Sequence, residues 1–183
     1  MYPNCVVFGI GNESRGDDAL GPLFLEKLKI SIKEKPFFSS FTLISDFQLQ
    51  IEHSLDLENQ DIALFIDAGL SPAVPDNEAF SFKLIQAIPS RRGMTHALSP
   101  EELLGVAEDF FAPQPQGDTS TAIKTNCQRL PKAYVLCIRG YQFELGAAIC
   151  KEANINLELA FTQLMSWIDQ EVYLKSGGSI CMK

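Results

Sequence analysis

Three short apolar runs, Cys5-Val6-Val7-Phe8, Ile62-Ala63-Leu64-Phe65-Ile66 and Ala133 to Ile138, constrain this chain more than any other feature. Each is strand length and apolar at nearly every position, so each reads as a strand buried on both faces, as in a parallel sheet covered by helices. A glycine-bearing loop and then helical spacing follow the first run. Leu20, Leu23, Phe24, Leu28 and Ile32 recur between Ala19 and about Lys35, and Pro22 is tolerable in a first turn because its missing N–H would be unpaired there.

The same reading continues along the chain. Phe41-Thr42-Leu43-Ile44 is a further strand, Ile51 to Leu57 a short helix, and the run from Ile62 stops at Asp67-Ala68-Gly69. Phe80, Phe82 and Leu84 alternate with other residues after a turn-rich stretch, which predicts an antiparallel edge strand with one exposed face. Ser99-Pro100-Glu101-Glu102 is a capping box that opens a helix carrying Leu103, Leu104, Ala107 and Phe111. Residues 112–131 read as a loop, and Asn156 to about Tyr173 as a closing amphipathic helix with Leu157, Phe161, Leu164 and Ile168 inward. Strands alternating with helices predict a mainly parallel α/β sheet in a single three-layer domain over residues 1–175. Ser176-Gly177-Gly178-Ser179 begins a flexible tail, 176–183.

Charge excludes whole classes of partner. The formal net charge is -8, from 15 basic against 23 acidic side chains, and the only adjacent basic pair is Arg91-Arg92. Nucleic acid and anionic membranes need clustered cations, so neither is an expected partner. No apolar run approaches the roughly 20 residues needed to cross a bilayer, and Met1-Tyr2-Pro3-Asn4 lacks the basic end of a secretory signal. A cytoplasmic protein is expected. Five widely spaced cysteines without a Cys-x-x-Cys pair give neither a disulfide framework nor a thiolate zinc site, and Cys5, Cys137 and Cys150 are expected to be small buried hydrophobes.

Gly9-Ile10-Gly11-Asn12-Glu13-Ser14 has the opening of a dinucleotide fingerprint, yet Ser14 stands at the third glycine position and Asp17-Asp18 follow where a pyrophosphate would sit. Two carboxylates repel that anion, so a nucleotide-binding module ranks last and a cation ranks first. One of the pair is expected to cap the following helix, leaving the other free at the carboxyl end of a strand, where α/β sheets place their ligands. Asp67 is either a turn residue or a second carboxylate at that edge. His96 is either a solvated loop residue or, if the edge-strand connection returns to the same end, a third donor. Asp18, Asp67 and His96 together would suit a borderline divalent transition metal with positions left open for water or substrate. His53, on the short helix beside Glu52, reads as a surface residue.

Gly9-Ile10-Gly11-Asn12 with Asp17-Asp18 and Gly21, then Phe65-Ile66-Asp67-Ala68, then Thr95-His96 before the Ser-Pro-Glu-Glu-Leu-Leu helix, resembles the maturation endopeptidases of nickel-iron hydrogenases. The resemblance extends through Asp46-Phe47-Gln48-Leu49-Gln50-Ile51-Glu52 and Ile138-Arg139-Gly140-Tyr141-Gln142-Phe143-Glu144-Leu145-Gly146, so it covers most of the chain. It implies a five-stranded, mostly parallel sheet between helices and removal of a C-terminal extension from the hydrogenase large-subunit precursor after nickel insertion. It also implies nickel supplied by that precursor, with no organic cofactor, and Asp18, Asp67 and His96 as catalytic and nickel-engaging residues. Gly9, Gly11, Asn12 and Asp17 would support them. Ala19 stands where relatives commonly carry glycine, and Gly16 where they often carry a larger residue. The family uses no serine or cysteine nucleophile, and no Ser-His-Asp or Cys-His arrangement is evident here. A monomer acting on the precursor is expected. The same three ligands would also serve a non-catalytic metal-sensing chaperone or checkpoint protein for that precursor.

Overall fold

A computed structural model describes residues 1–89, 98–112 and 129–174. The first apolar run forms β1 (Cys5–Ile10), every residue of it buried. It is followed by a 3-10 turn, Gly16–Ala19, and then by α1 (Leu20–Ile32), with Pro22 in its first turn. The remaining strands are β2 (Phe41–Asp46), β3 (Ile62–Gly69), β4 (Phe80–Ile85) and β5 (Lys132–Arg139). They make one five-stranded sheet in the order β2-β1-β3-β5-β4. All neighbours are parallel except β4, which pairs antiparallel with β5 at the edge. The chain therefore folds as a single α/β domain with the mixed sheet that its apolar runs and the alternation of Phe80, Phe82 and Leu84 predict.

Period-two alternation divides the core between the two faces of the sheet. Cys5 and Val7 of β1, Leu64 and Ile66 of β3, and Leu136 and Ile138 of β5 meet α1 and α3 (Lys151–Ile168) on one side. Val6 and Phe8, Ala63 and Phe65, and Ala133 meet α2 (Pro100–Phe111) and the 3-10 helix Ile51–Leu57 on the other. Each large side chain fully buried here contributes roughly 1.5–3 kcal/mol. Ser99 caps α2 as its sequence requires: its hydroxyl accepts from the Glu102 N–H, and the Glu102 carboxylate accepts from the Ser99 N–H at 2.9 Å.

Five local expectations need correction. β3 does not stop at Asp67 but continues to Gly69, because Asp67, Ala68 and Gly69 all find partners on β5, from Cys137 to Arg139. α3 begins at Lys151, five residues before the expected start at Asn156. Its cap is Cys150, whose sulfur accepts from the Ala153 N–H at 3.3 Å, so this cysteine is a half-buried polar participant rather than a small hydrophobe. His53 is not a surface residue. It is buried against Phe8, its Nδ1 accepts from the Gln50 N–H at 3.0 Å, and its Nε2 lies 3.5 Å from the Asp46 carboxylate. The 3-10 helix Ile51–Leu57 buries His53, Ser54 and Leu57 together, so the imidazole belongs to its inward face. Finally, neither Asp17 nor Asp18 caps α1, whose first turn has no side-chain cap. The expected loop at 112–131 lies mostly, and the tail 176–183 wholly, outside the described residues.

The start of α1 lies unusually close to the sheet. A Cβ on Gly21 would sit 2.1 Å from the Ile10 carbonyl oxygen and 2.7 Å from that of Ile66, and one on Gly9 would sit 2.7 Å from the Gly21 carbonyl oxygen. Glycine at both positions permits helix and strand backbones to touch. Since all three blocking atoms are backbone and cannot turn aside, Gly21→Ala is expected to cost about 3 kcal/mol by overpacking. The measurement is chemical denaturation, with a lower midpoint at unchanged m-value.

Candidate active site

The chain runs from β1 to β2 on one side and returns to β3 on the other, so the connections leave the carboxyl ends of β1 and β3 in opposite directions. That divergence opens a crevice, the place where open α/β sheets bind ligands. Here it is a cleft of about 520 Å³. Its lining brings together Asp18 from the turn after β1 and Asp67 from the end of β3. The rest of its wall is largely apolar, with Ile10, Phe47, Leu49, Phe65, Ile85, Leu98 and Val135.

Asp18 is held by its own loop. Its Oδ2 accepts from the Asn12 N–H at 3.1 Å, while the Asn12 side chain accepts from the Ser14 N–H at 2.9 Å. Gly11 makes this fold-back possible. Its φ is +139°, and a Cβ there would lie 1.9 Å from the Asp18 carbonyl oxygen. Gly9, Gly11 and Asn12 thus shape the acidic loop by close approach and turn geometry rather than by cradling a phosphate. Asp67 is half-buried and its Oδ1 accepts from the Ala68 N–H at 2.7 Å. Burial first, and the negative charge of Asp18 second, push its carboxyl up from 3.8 to about 7 against the pull of that N–H bond. The two carboxylates therefore sense each other across the cleft, and Asp67 is only partly ionised near neutrality.

Asp17 differs entirely from its neighbour. It is fully buried, and its carboxylate accepts from the N–H groups of Tyr141 at 2.7 Å, Gln142 at 3.0 Å and Cys150 at 2.7 Å, and from the Cys150 thiol at 3.1 Å. Burial alone would raise its pKa, but the backbone bonds of Cys150, Gln142 and Tyr141, with the thiol, outweigh burial and hold it below the ordinary carboxylate value. Asp17 ties the loop after β1 to the loop between β5 and α3. It supports the site without lining it.

His96 lies outside the described residues. β4 runs antiparallel, so its last residue, Ile85, pairs with Ala133 near the amino end of β5, and the connection after it has to return to reach the cleft. The chain has crossed back by Leu98, whose N–H donates to the Leu49 carbonyl beyond β2 and whose side chain lines the cleft. Among the described residues no three His, Cys, Asp or Glu side chains are arranged to hold a metal ion by themselves. Asp18 and Asp67 provide two oxygen donors to the cleft.

Sequence reasoning missed Lys83, Glu101 and Cys137, which also line the cleft. Lys83 and Cys137 occupy alternate positions of β4 and β5 on the face that carries Asp67, so period-two counting from Asp67 across a known strand order would have found them. Cys137 is buried, and burial, followed by the charge of Asp67, raises its thiol to about 11. Cys5 is raised to about 12 by burial and the charge of Asp61. Neither is a thiolate at neutral pH.

No family model matches the chain, and no curated protein matches it in sequence. Solved structures do match. The [NiFe] hydrogenase maturation protease HycI from Thermococcus kodakarensis KOD1 superposes with a TM-score of 0.59 at 16% identity, over 90% of this chain and 92% of that one. The hydrogenase 2 maturation peptidase from Thaumarchaeota archaeon SCGC_AB-539-E09 gives 0.57 at 19%, over 92% and 99%. The hydrogenase maturating endopeptidase HybD from E. coli gives 0.55 at 17%, over 91% and 93%. The chain has the fold of these proteins.

Two expected outcomes separate the neighbouring aspartates from Asp67. Asp17→Ala leaves three backbone N–H groups without their acceptor and is expected to cost about 3–5 kcal/mol in denaturant titration. For Asp67 the folded-state value of about 7 exceeds the ordinary 3.8, so the stability that its protonation contributes is full below the lower value and is lost as pH rises through the higher one. Asp67→Asn removes the buried charge. It is expected to raise the Tm by a few degrees at pH 8, with the gain vanishing near pH 4; calorimetry across that range checks it.

Proposed function

We propose that this chain is an endopeptidase that removes the C-terminal extension of a nickel-iron hydrogenase large-subunit precursor once nickel has been inserted. The observation that carries this reading is the convergence of Asp18 and Asp67 at the β1/β3 crevice of a sheet whose whole topology is shared with hydrogenase maturation proteases. A carboxylate pair in a largely apolar cleft suits a metal ion that arrives with its substrate. Nickel held by the precursor's own ligands is then part of what the cleft recognises, and Asp18 and Asp67 complete its coordination. His96, two residues before the cleft-lining Leu98, is the third proposed ligand.

Hydrolysis then needs a water, a proton acceptor and a proton donor. A carboxylate of the pair left free by the metal, Asp18 or Asp67, can serve both proton duties. Its ionised form takes a proton from the water as the oxygen attacks the scissile carbonyl carbon; its protonated form returns that proton to the amine nitrogen as the C–N bond breaks. The precursor's nickel, when bound, supplies electrostatic stabilisation for charge developing on the carbonyl oxygen. Cys5 and Cys137 are poor nucleophiles at neutral pH, because burial holds their thiols up at about 12 and about 11. No helix among the described residues is long and apolar enough to cross a membrane.

Incubation of the purified chain with nickel-loaded precursor is expected to give a mass loss equal to the extension, and metal-free precursor is expected to stay intact. Asp18→Asn, Asp67→Asn and His96→Gln should each lower kcat/KM by about 10²-fold or more while the protein stays folded. A stable complex without cleavage would identify a checkpoint protein instead.

A further inference from the structure

The cleft is electrically lopsided. Its two aspartates, Asp18 and Asp67, stand at the β1/β3 end, whereas Lys83 lines it from β4 at the far edge of the sheet and Glu101 from the start of α2. The registers fix their relation. Asp67 pairs with Cys137 and Cys137 with Ser81, one row across three strands, and Lys83 stands two residues further along β4 on the same face. Two strand spacings and one two-residue step separate the Cα positions of Asp67 and Lys83 by about 12 Å. An extended peptide covers that distance in roughly three or four residues.

Lys83 has no anionic partner in the ion pairs found among the described residues; those join Lys27 to Glu158, Lys29 to Glu26 and His53 to Asp46. Glu101 lines the same cleft from α2 but forms no ion pair with it. The Lys83 charge nevertheless reaches the cleft floor, where it acts on Cys137 against the opposing charge of Asp67. An ammonium group on one wall of a largely apolar trough, unpaired by Glu101 and a peptide's length from Asp67, is complementary to a ligand that carries a negative charge at that distance from the reacting bond.

Building on the endopeptidase reading, we infer that Lys83 is a specificity-determining residue that recognises an acidic side chain, Asp or Glu, on the extension of the precursor, three or four residues beyond the scissile bond. The extension is the part of the substrate that lies in the trough, because the mature side of the bond is anchored by its metal at the carboxylate end. Its charged side chain then meets Lys83, while its apolar neighbours cover Phe65 and Val135.

The test uses nickel-loaded large-subunit precursors whose extensions differ only at the third and fourth residues, carrying Asp, Asn or Lys there. Binding is followed by fluorescence anisotropy and cleavage by mass spectrometry, for the unaltered protein, Lys83→Met and Lys83→Glu. The unaltered protein should favour Asp over Asn about fivefold in both Kd and KM, with kcat unchanged. Lys83→Met should abolish that preference, and Lys83→Glu should turn it toward Lys. Since Lys83 is exposed, both variants are expected to fold, and the Asn precursor serves each as its internal standard. A preference for Asp that survives in Lys83→Met, or no preference in the unaltered protein, overturns the inference. A preference seen in binding without any cleavage upholds it and removes the endopeptidase reading instead.

Discussion

The Asp17 carboxylate is the interaction on which the rest of this molecule depends. It joins the first loop of the chain to the last one, accepting three backbone N–H groups and a thiol that would otherwise be left unpaired in the interior. Through Cys150 it also reaches the first turn of α3, because the sulfur that donates to Asp17 is the one that caps the helix. Asp18 is adjacent to this anchor, so the loop carrying the candidate site is immobilised by a residue that itself never enters the cleft. The glycine contact between α1 and β1 acts in the same direction. With Gly21 against Ile10 and Ile66, and Gly11 against Asp18, there is little room for the acidic loop to adopt a second arrangement.

The sequence is a good guide to this structure wherever a property depends on local pattern and a poor one wherever it depends on partners far along the chain. The runs from Cys5, Ile62 and Ala133 announce buried strands because consecutive apolar residues need cover on both faces. Ser99 and Glu102 announce α2 because a capping box is complete within four residues. Asp17 and Asp18 look equivalent as neighbours, and no local rule separates them, since their different fates are decided by loops more than a hundred residues away. Cys150 was unreadable as a cap for the same reason: a thiol is a weak acceptor, and only its place beside Asp17 makes that role intelligible. His53 belongs with these, because its burial depends on Phe8 of β1 and Asp46 of β2, which its own short helix does not announce.

Within the candidate site, the acidic pair could be read from its position after strands, whereas the cationic side could not. Asp18 and Asp67 each follow an apolar run, and the parallel order of β1 and β3 places both at one edge. Lys83 is an ordinary polar residue in an alternating strand until the order β3-β5-β4 sets it on the same face as Asp67. The apolar residues of the floor are equally silent, for Phe65 and Val135 are indistinguishable in sequence from the core residues beside them.

That last ambiguity carries an evolutionary consequence. The floor of the cleft is the surface of the sheet itself, so Phe65 and Asp67 alternate along β3 with Leu64 and Ile66, which belong to the core on the opposite face. Inserting or deleting one residue within β3 would exchange the two sets, turning a carboxylate into the interior and an aliphatic side chain into the cleft. Descendants of this chain can therefore alter what the cleft accepts through substitutions in the strands and through changes of any length in the loops, while the spacing within the strands themselves is frozen.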